Sequence, residues 1–579
     1  MLNWSRAKSL ALLLAMLAFL HGNVAAACKL GLITEVPVTI DGMRPYITVR
    51  IDGNDAKLLL DSGAADSFMS LASAAHFQRP LSEVPVGSVR GVGIEYSVLS
   101  TEIRALMLGS VVFPKVDFLV GGPDIGGSAQ GGLGQNVLGK ADIEYDLAHG
   151  VIRLFKPAKE CEGARLAYWA GKQNESDLEI DTGNVFRVSR TVAEGRLNGR
   201  EIRVQFDTGA TYSVMNVDVA RTSGIREDAS AAGAGAVRIA SFDSFKIGNE
   251  EIRNARISVS DVHLPDVDLI LGIDFFLSHR IYVANDRHRM YFTYIGGPVF
   301  NLDQKPAPPQ GMDTSLLVDV EKEPATADAY ARRGSARAAR HDFAPALADF
   351  ARAIELNPKE PRYFLQRAST YLQQGKSSAA MGDLDQALML NPKFSDALLA
   401  RARVRFEIGD ESGGSADLDV DSEAIPDTDD DRYSIGDLYL RHGKWRKAVR
   451  EFDFWLETRV QDPRRPFALG MRCLARGFEG VELDKALQDC DWAINEFDRS
   501  AEFLTARGLV YLRVGRFKKS IQDFDDSLRL QANNALPLYL RGIAELRVGM
   551  PKEGQGDIDA ASALDSSVAK FASNVGIAP

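Results

Sequence analysis

The feature that most constrains this chain is a short pattern that occurs twice. Leu58 to Phe68 reads LLLDSGAADSF, and Val204 to Val214 reads VQFDTGATYSV. Each is an apolar run of strand character ending in an aspartate, a hydroxyl residue, a glycine and an alanine. An aspartate at a strand end followed by glycine reads as a side chain held in a tight turn, where the missing Cβ allows close approach. Two such turns in one chain suggest a pair. Carboxylates about 3 Å apart cannot both ionise; they share one proton and act as acid and base together.

These two stretches resemble the half-sites of the retropepsin-like aspartic proteases: an apolar pair, D[ST]GA, and a later strand of two apolar residues and a glycine. That later element is assigned to Val137, Leu138 and Gly139 in the first half and to Ile270, Leu271 and Gly272 in the second. The resemblance implies an all-β bilobal pseudo-dimer that hydrolyses peptide bonds with water and without metal or other cofactor. It implies that Asp61 and Asp207 hold the attacking water. Ser62 and Thr208 would bond across the two turns, and Gly63 and Gly209 would donate N–H groups to the carboxylates.

Ala64 and Ala210 stand where pepsin-like enzymes usually carry a hydroxyl that stabilises the charged carboxylate, so a less acidic optimum than pepsin's is expected. Gly91 and Gly93, with Gly233 and Gly235 in the second half, are candidates for flap tips. An ordinary solvent hairpin is the alternative there. A third DTG, Asp181 to Gly183, aligns upstream of the motif, with the segment near Asp41, and reads as a hairpin turn.

At 579 residues the chain exceeds one core. Its boundaries are read as a signal peptide over 1–27, lobes over 28–160 and 161–295, a Pro/Gly-rich linker over 296–326, helical repeats over 327–568 and a tail over 569–579. Arg6 and Lys8, the apolar run Leu10 to Leu20 and the alanines at 25 to 27 give the signal-peptide pattern, so a periplasmic or secreted location is expected. No other stretch is long enough for a transmembrane helix. A net charge of −11 gives no reason to expect nucleic acid as a partner.

The cysteines are Cys28, Cys161, Cys473 and Cys490. Cys28 and Cys161 would close the first lobe with a disulfide, or Cys28 would carry a lipid; Cys473 and Cys490 either bridge or remain buried thiols. The eight histidines show no metal-ligand spacing, and the glycine-rich stretch from Gly121 to Gln135 lacks the pattern of a phosphate cradle.

From Ala327 onward, small residues, aromatics and prolines recur with a period of 34 residues, the mark of tetratricopeptide (TPR) repeats. Gly334, Ala346, Phe350, Ala353 and Pro358 mark the first repeat, and Ala368, Ala380, Leu384, Ala387 and Pro392 the second. Repeat starts fall near 327, 361, 395, 429, 467, 501 and 535, with the third and fifth degenerate. Such a solenoid implies a protein or peptide partner. The expected protein is a bilobal aspartic endopeptidase with a TPR solenoid; the alternative is a catalytically inactive peptide-binding scaffold of the cell envelope.

Overall fold

The computed structural model describes residues 30–91, 94–121, 129–156, 166–170, 175–181, 190–227, 238–260, 266–300, 323–427, 429–460, 462, 464–496 and 500–578. The signal segment, Cys28, Cys161, Gly93, Gly233 and Gly235, and most of the linker lie outside them.

The first lobe contains β1 (Gly31–Asp41), β2 (Arg44–Ile51), β3 (Asn54–Leu60), β4 (Ser67–Met69), β5 (Ser82–Gly91), β6 (Ile94–Leu108), β7 (Val111–Val120), β8 (Gly131–Leu133), β9 (Asp142–Asp146) and β10 (Val151–Lys156). The second contains β11 (Ser176–Glu179), β12 (Val192–Leu197), β13 (Arg200–Phe206), β14 (Val214–Asn216), β15 (Arg226–Glu227), β16 (Arg238–Ile247), β17 (Glu250–Ser260), β18 (Leu269–Leu271), β19 (His279–Ala284) and β20 (Arg289–Tyr294).

Each lobe closes into a barrel. In the first, the order β2-β3-β8-β4-β7-β6 returns on itself because β2 also pairs with β6; in the second, β12-β13-β18-β14-β17-β16 closes through β12 and β16. Closure removes sheet edges and buries both faces of the strands that carry the two motifs. Leu58 and Leu60 are fully buried, and Leu59 on the opposite face of β3 is covered by Tyr46 and Ala129.

The lobes are joined by an antiparallel sheet in which β1, β10 and β9 of the first continue into β19, β20 and β11 of the second. At the seam, Ile143 pairs with Val283 and Tyr145 with Ile281. The buried Glu144 ties the halves together by binding Arg153 of β10 and Arg280 of β19 at 2.5 and 2.8 Å. The two turns are thereby set on one rigid support.

Among the described residues, fourteen helices after the lobes form seven antiparallel pairs, from Ala327–Ala339 with Phe343–Leu356 to Ala535–Arg547 with Pro551–Leu564, and Val568–Asn574 caps the stack. The degenerate third and fifth repeats are both formed, by Ser395–Glu407 with Glu411–Ala424 and by Arg465–Glu479 with Leu483–Glu496. A mark absent from the small-residue pattern recurs inside the pairs. An arginine of the first helix grips an aspartate of the second with two bonds, as in Arg367 to Asp383 (2.7 and 2.6 Å), Arg401 to Asp417 (3.0 and 2.7 Å) and Arg507 to Asp523 (both 2.8 Å). Planar guanidinium and carboxylate match in such pairs and lock the helix register.

The first helix of the solenoid is not a free extension of the linker. It lies on β1, with Ala336 and Ala339 packed into the core of the lobes.

In the fifth pair Cys473 and Cys490 form a disulfide with Cα atoms 5.6 Å apart. It closes a loop of 17 residues. Replacing both cysteines by alanine should lower the unfolding free energy of the solenoid by about 3 kcal/mol, measured by urea titration. A change below about 1 kcal/mol would show that the packed helices hold this loop without it.

Candidate active site

Strand pairing places the two aspartates. β3 runs parallel to β8 with Leu60 opposite Leu133, and β13 runs parallel to β18 with Phe206 opposite Leu271. The next residue in each case is the aspartate, whose N–H donates to the carbonyl of the partner leucine: Asp61 to Leu133 at 3.1 Å and Asp207 to Leu271 at 2.9 Å.

This pairing corrects one sequence assignment. The first-lobe counterpart of Ile270, Leu271 and Gly272 is Gly132, Leu133 and Gly134; Val137 and Leu138 lie in the short helix after them, and Gly139 caps it. The apolar pair is broken in the first lobe because the Phe68 ring fills the space: a Cβ on Gly132 would lie 2.4 Å from it.

The two turns are tied reciprocally. Thr208 Oγ1 donates to the Leu60 carbonyl (2.6 Å) and accepts from Ser62 N–H (2.9 Å). Ser62 Oγ donates to the Phe206 carbonyl (3.2 Å) and accepts from Thr208 N–H (2.9 Å). Both hydroxyl residues are buried, so every one of these groups depends on the others for its hydrogen bond.

Glycine is required beside each carboxylate. A Cβ on Gly63 would stand 2.1 Å from Asp207 Cγ, and one on Gly209 would stand 2.5 Å from Asp61 Cγ. Each carboxylate thus rests on the other lobe's turn, which is how the two come together. Asp61 Oδ1 accepts from Gly63 N–H (3.1 Å) and Ala64 N–H (2.8 Å), and Asp207 Oδ1 accepts from Gly209 N–H (2.8 Å).

Burial pushes the Asp61 carboxyl up to about 8, and the nearby Asp207 charge adds to the rise. Burial also raises Asp207, opposed by the Gly209 and Ala210 N–H groups and by a hydrogen bond from Asp61. That bond runs between the two carboxyls, and with both raised by burial the pair holds one proton between them.

A second tier holds the turns. Ser67 and Ser213 lie at the same place in the two motifs, and their hydroxyls accept from Gly134 N–H and Gly272 N–H, both at 3.0 Å. Ser67 Oγ donates to Asn136 (2.7 Å) and Ser213 Oγ to Asp274 (2.6 Å). A serine recurring six residues beyond each aspartate was the available signal. Burial pushes the Asp274 carboxyl up to about 6, against the lowering effect of its bonds from Ser213.

Of the flap candidates, Gly91 ends β5, paired with Ile94 at the tip of the β5–β6 hairpin. Asp181 takes no part in the site. Its backbone pairs with Val192, and its carboxylate lies 3.5 Å from Arg203 on the surface. Among the described residues no three His, Cys, Asp or Glu side chains stand where they would hold a metal ion, and no helix is long and apolar enough to cross a membrane.

Fold and site together define an aspartyl protease domain of retropepsin-like, two-lobed form, with a TPR solenoid after it. Residues 47–140 and 193–275 match the aspartyl protease family, and residues 361–394 match the tetratricopeptide repeat family. Solved structures similar to this chain include a tetratricopeptide repeat protein from Parabacteroides merdae, at 18% identity over 43% of this chain and 98% of that one, with a TM-score of 0.32. Another is PilW, a widely conserved type IV pilus biogenesis factor, at 15% identity over 37% of this chain and 97% of that one, with a TM-score of 0.30. Likenesses at TM-scores this low carry no weight for function. No curated protein matches the chain significantly.

Proposed function

We propose that the protein is an aspartic endopeptidase in which Asp61 and Asp207 hydrolyse peptide bonds without a covalent intermediate. The observation that carries this is the reciprocal link of Ser62 and Thr208, which sets the two aspartate turns against each other. Ionised Asp207 takes a proton from the water as its oxygen attacks the scissile carbonyl carbon. Asp61 gives its proton to the carbonyl oxygen, producing a neutral gem-diol. Collapse of that intermediate returns one proton to the pair and sends the other to the leaving amine. The hairpin of β5 and β6 would serve as the flap over the substrate.

The solenoid binds a polypeptide partner or the substrate itself. The segment over residues 1–27 directs the chain out of the cytoplasm, a reading supported by the Cys473–Cys490 bridge, which suits an oxidising compartment.

The test is cleavage of a mixed peptide library between pH 3 and 8 by the full-length chain and by Asp207→Asn, with and without a statine-type inhibitor. Expected is cleavage that the substitution and the inhibitor both abolish, with a fall on the alkaline side near pH 8, where Asp61 loses its proton. Folded protein that cleaves nothing across the range would overturn the proposal and leave the peptide-binding scaffold.

A further inference from the structure

The last helix, Val568–Asn574, does more than end the stack. After an exposed turn over residues 565–567 it lies against earlier repeats. The Phe571 ring meets Phe478 edge to face with centroids 5.3 Å apart, and Trp445 with centroids 6.4 Å apart. Phe478 belongs to the fifth helix pair and Trp445 to the fourth. Beyond the helix, the Val575 carbonyl accepts from Arg513 of the sixth pair, and the Ala578 carbonyl accepts from Arg547 of the seventh (3.2 Å). In a solenoid each repeat contacts its neighbours, so a segment that touches the fourth to the seventh is not simply the next member of the stack.

The segment has the pattern of a bound peptide. Val568, Phe571, Ala572 and Val575 stand at i, i+3, i+4 and i+7, the anchor spacing of a helix laid in a groove. These four are buried or half-buried, whereas Lys570, Ser573 and Asn574 are exposed. Gly576, in the left-handed region at a φ of 70°, ends the helix, and Ile577 after it is buried. The bonds from Arg513 and Arg547 go to backbone carbonyls, which any sequence offers.

Those two arginines differ from Arg367, Arg401 and Arg507, which each grip an aspartate. Arg513 donates also to the Gly477 and Phe478 carbonyls (3.0 and 2.9 Å), and among the described residues neither Arg513 nor Arg547 meets a carboxylate. Burial with no acid opposing it lowers the Arg513 pKa. Two cations therefore stand at the end of the bound helix with only neutral acceptors.

Taking the solenoid as a polypeptide binder, as proposed above, we infer that residues 568–578 are a replaceable occupant of its binding surface. The partner that replaces them is an amphipathic helix with the same apolar spacing, followed by a carboxylate that Arg513 and Arg547 receive. The tether holds the segment at an effective concentration on the order of millimolar, so a partner enters only if it binds better. A carboxylate gives it that margin, because a hydrogen bond between ionised groups is about twice as strong as one between neutral groups.

The test uses the full-length chain carrying Asp207→Asn, so that no probe is consumed, with a specific protease site inserted between Ser566 and Ser567. The chain folds intact, and cutting then removes only the tether. Fluorescence anisotropy follows a labelled peptide of residues 566–579 and its Ala578→Asp and Phe571→Ala forms. Expected is that the uncut chain takes up none of them, whereas the cut chain exchanges its own segment for the peptide with its far-UV circular dichroism unchanged. The Ala578→Asp peptide should bind ~5-fold tighter than the parent, an advantage lost in a chain with Arg547→Gln, and the Phe571→Ala peptide at least ~10-fold weaker. Equal uptake by cut and uncut chains would leave the solenoid a peptide binder and overturn the self-occupancy. A cut chain that stays folded and exchanges nothing, one that loses helicity as the segment leaves, or uncut chains that pair by swapping their last helices would overturn it as well. Equal binding of the parent and Ala578→Asp peptides would overturn the carboxylate.

Discussion

Asp61→Asn should lower peptide cleavage by at least ~10³-fold and yet make the lobes more stable, by an amount that grows with pH. The asparagine fits the site: its Oδ1 accepts the Gly63 and Ala64 N–H bonds that Asp61 Oδ1 accepts now, and its Nδ2 donates to ionised Asp207. What it removes is a titration. Asp61 stands near the ordinary 3.8 when unfolded and is raised to about 8 by burial in the fold.

The folded state therefore binds more protons than the unfolded state between those values, and wild-type stability falls as pH rises from about 4 to about 8. Below pH 4 both states are protonated, and the aspartate costs nothing. The gap between variant and wild type should open across that window to on the order of 2–4 kcal/mol, or roughly 5–10 °C in Tm at pH 8, with near-coincident melts at pH 3. Calorimetry of both proteins at pH 3, 6 and 8 measures it. Melting curves that differ by a constant amount at all three values would show that Asp61 is not held protonated.

The second large effect belongs to Thr208, which touches no substrate. Thr208→Val keeps the shape and deletes the hydroxyl, leaving the Leu60 carbonyl and the Ser62 N–H buried without partners. Each orphan costs about 1–3 kcal/mol, so a loss of about 3–5 kcal/mol is expected from urea unfolding. Because the same bonds set the spacing of the carboxylates, kcat should fall by ~100-fold or more with the melt corrected for. Thr208→Ser should retain most of both, since the first lobe already performs the mirror-image task with Ser62. A valine variant within about 1 kcal/mol of the wild type would mean that the turns are held by the lobes' shared sheet and not by this link.

The two aspartates were legible because the same motif occurs twice in register and because glycine beside each carboxylate is a steric requirement that shows directly in sequence. The helical repeats were legible for a similar reason. Each pair buries its apolar stripe only against a neighbour, so small residues recur with the period of the stack. The strand that backs the first turn was assigned to Val137, Leu138 and Gly139, when Gly132, Leu133 and Gly134 fill that place. The error came from a local exchange of volume, a glycine in the strand against a phenylalanine across from it, which no one-dimensional pattern expresses. The pairs Ser67 with Asn136 and Ser213 with Asp274 are not legible in sequence, because hydroxyl, amide and carboxylate side chains are ordinary at such positions until their partners are known.

The sequence by itself determined the chemistry on offer and the kinds of module: two D[ST]GA turns, strands to hold them and a 34-residue helical repeat, all set by local steric and periodic constraints. Tertiary structure alone decided which groups meet. It tied the two turns together through Ser62 and Thr208, bridged Cys473 to Cys490 and docked the first solenoid helix on β1. Those outcomes depend on burial and on contacts between residues far apart in the chain, and the free energy of a charge or a hydrogen bond is fixed only when its surroundings are.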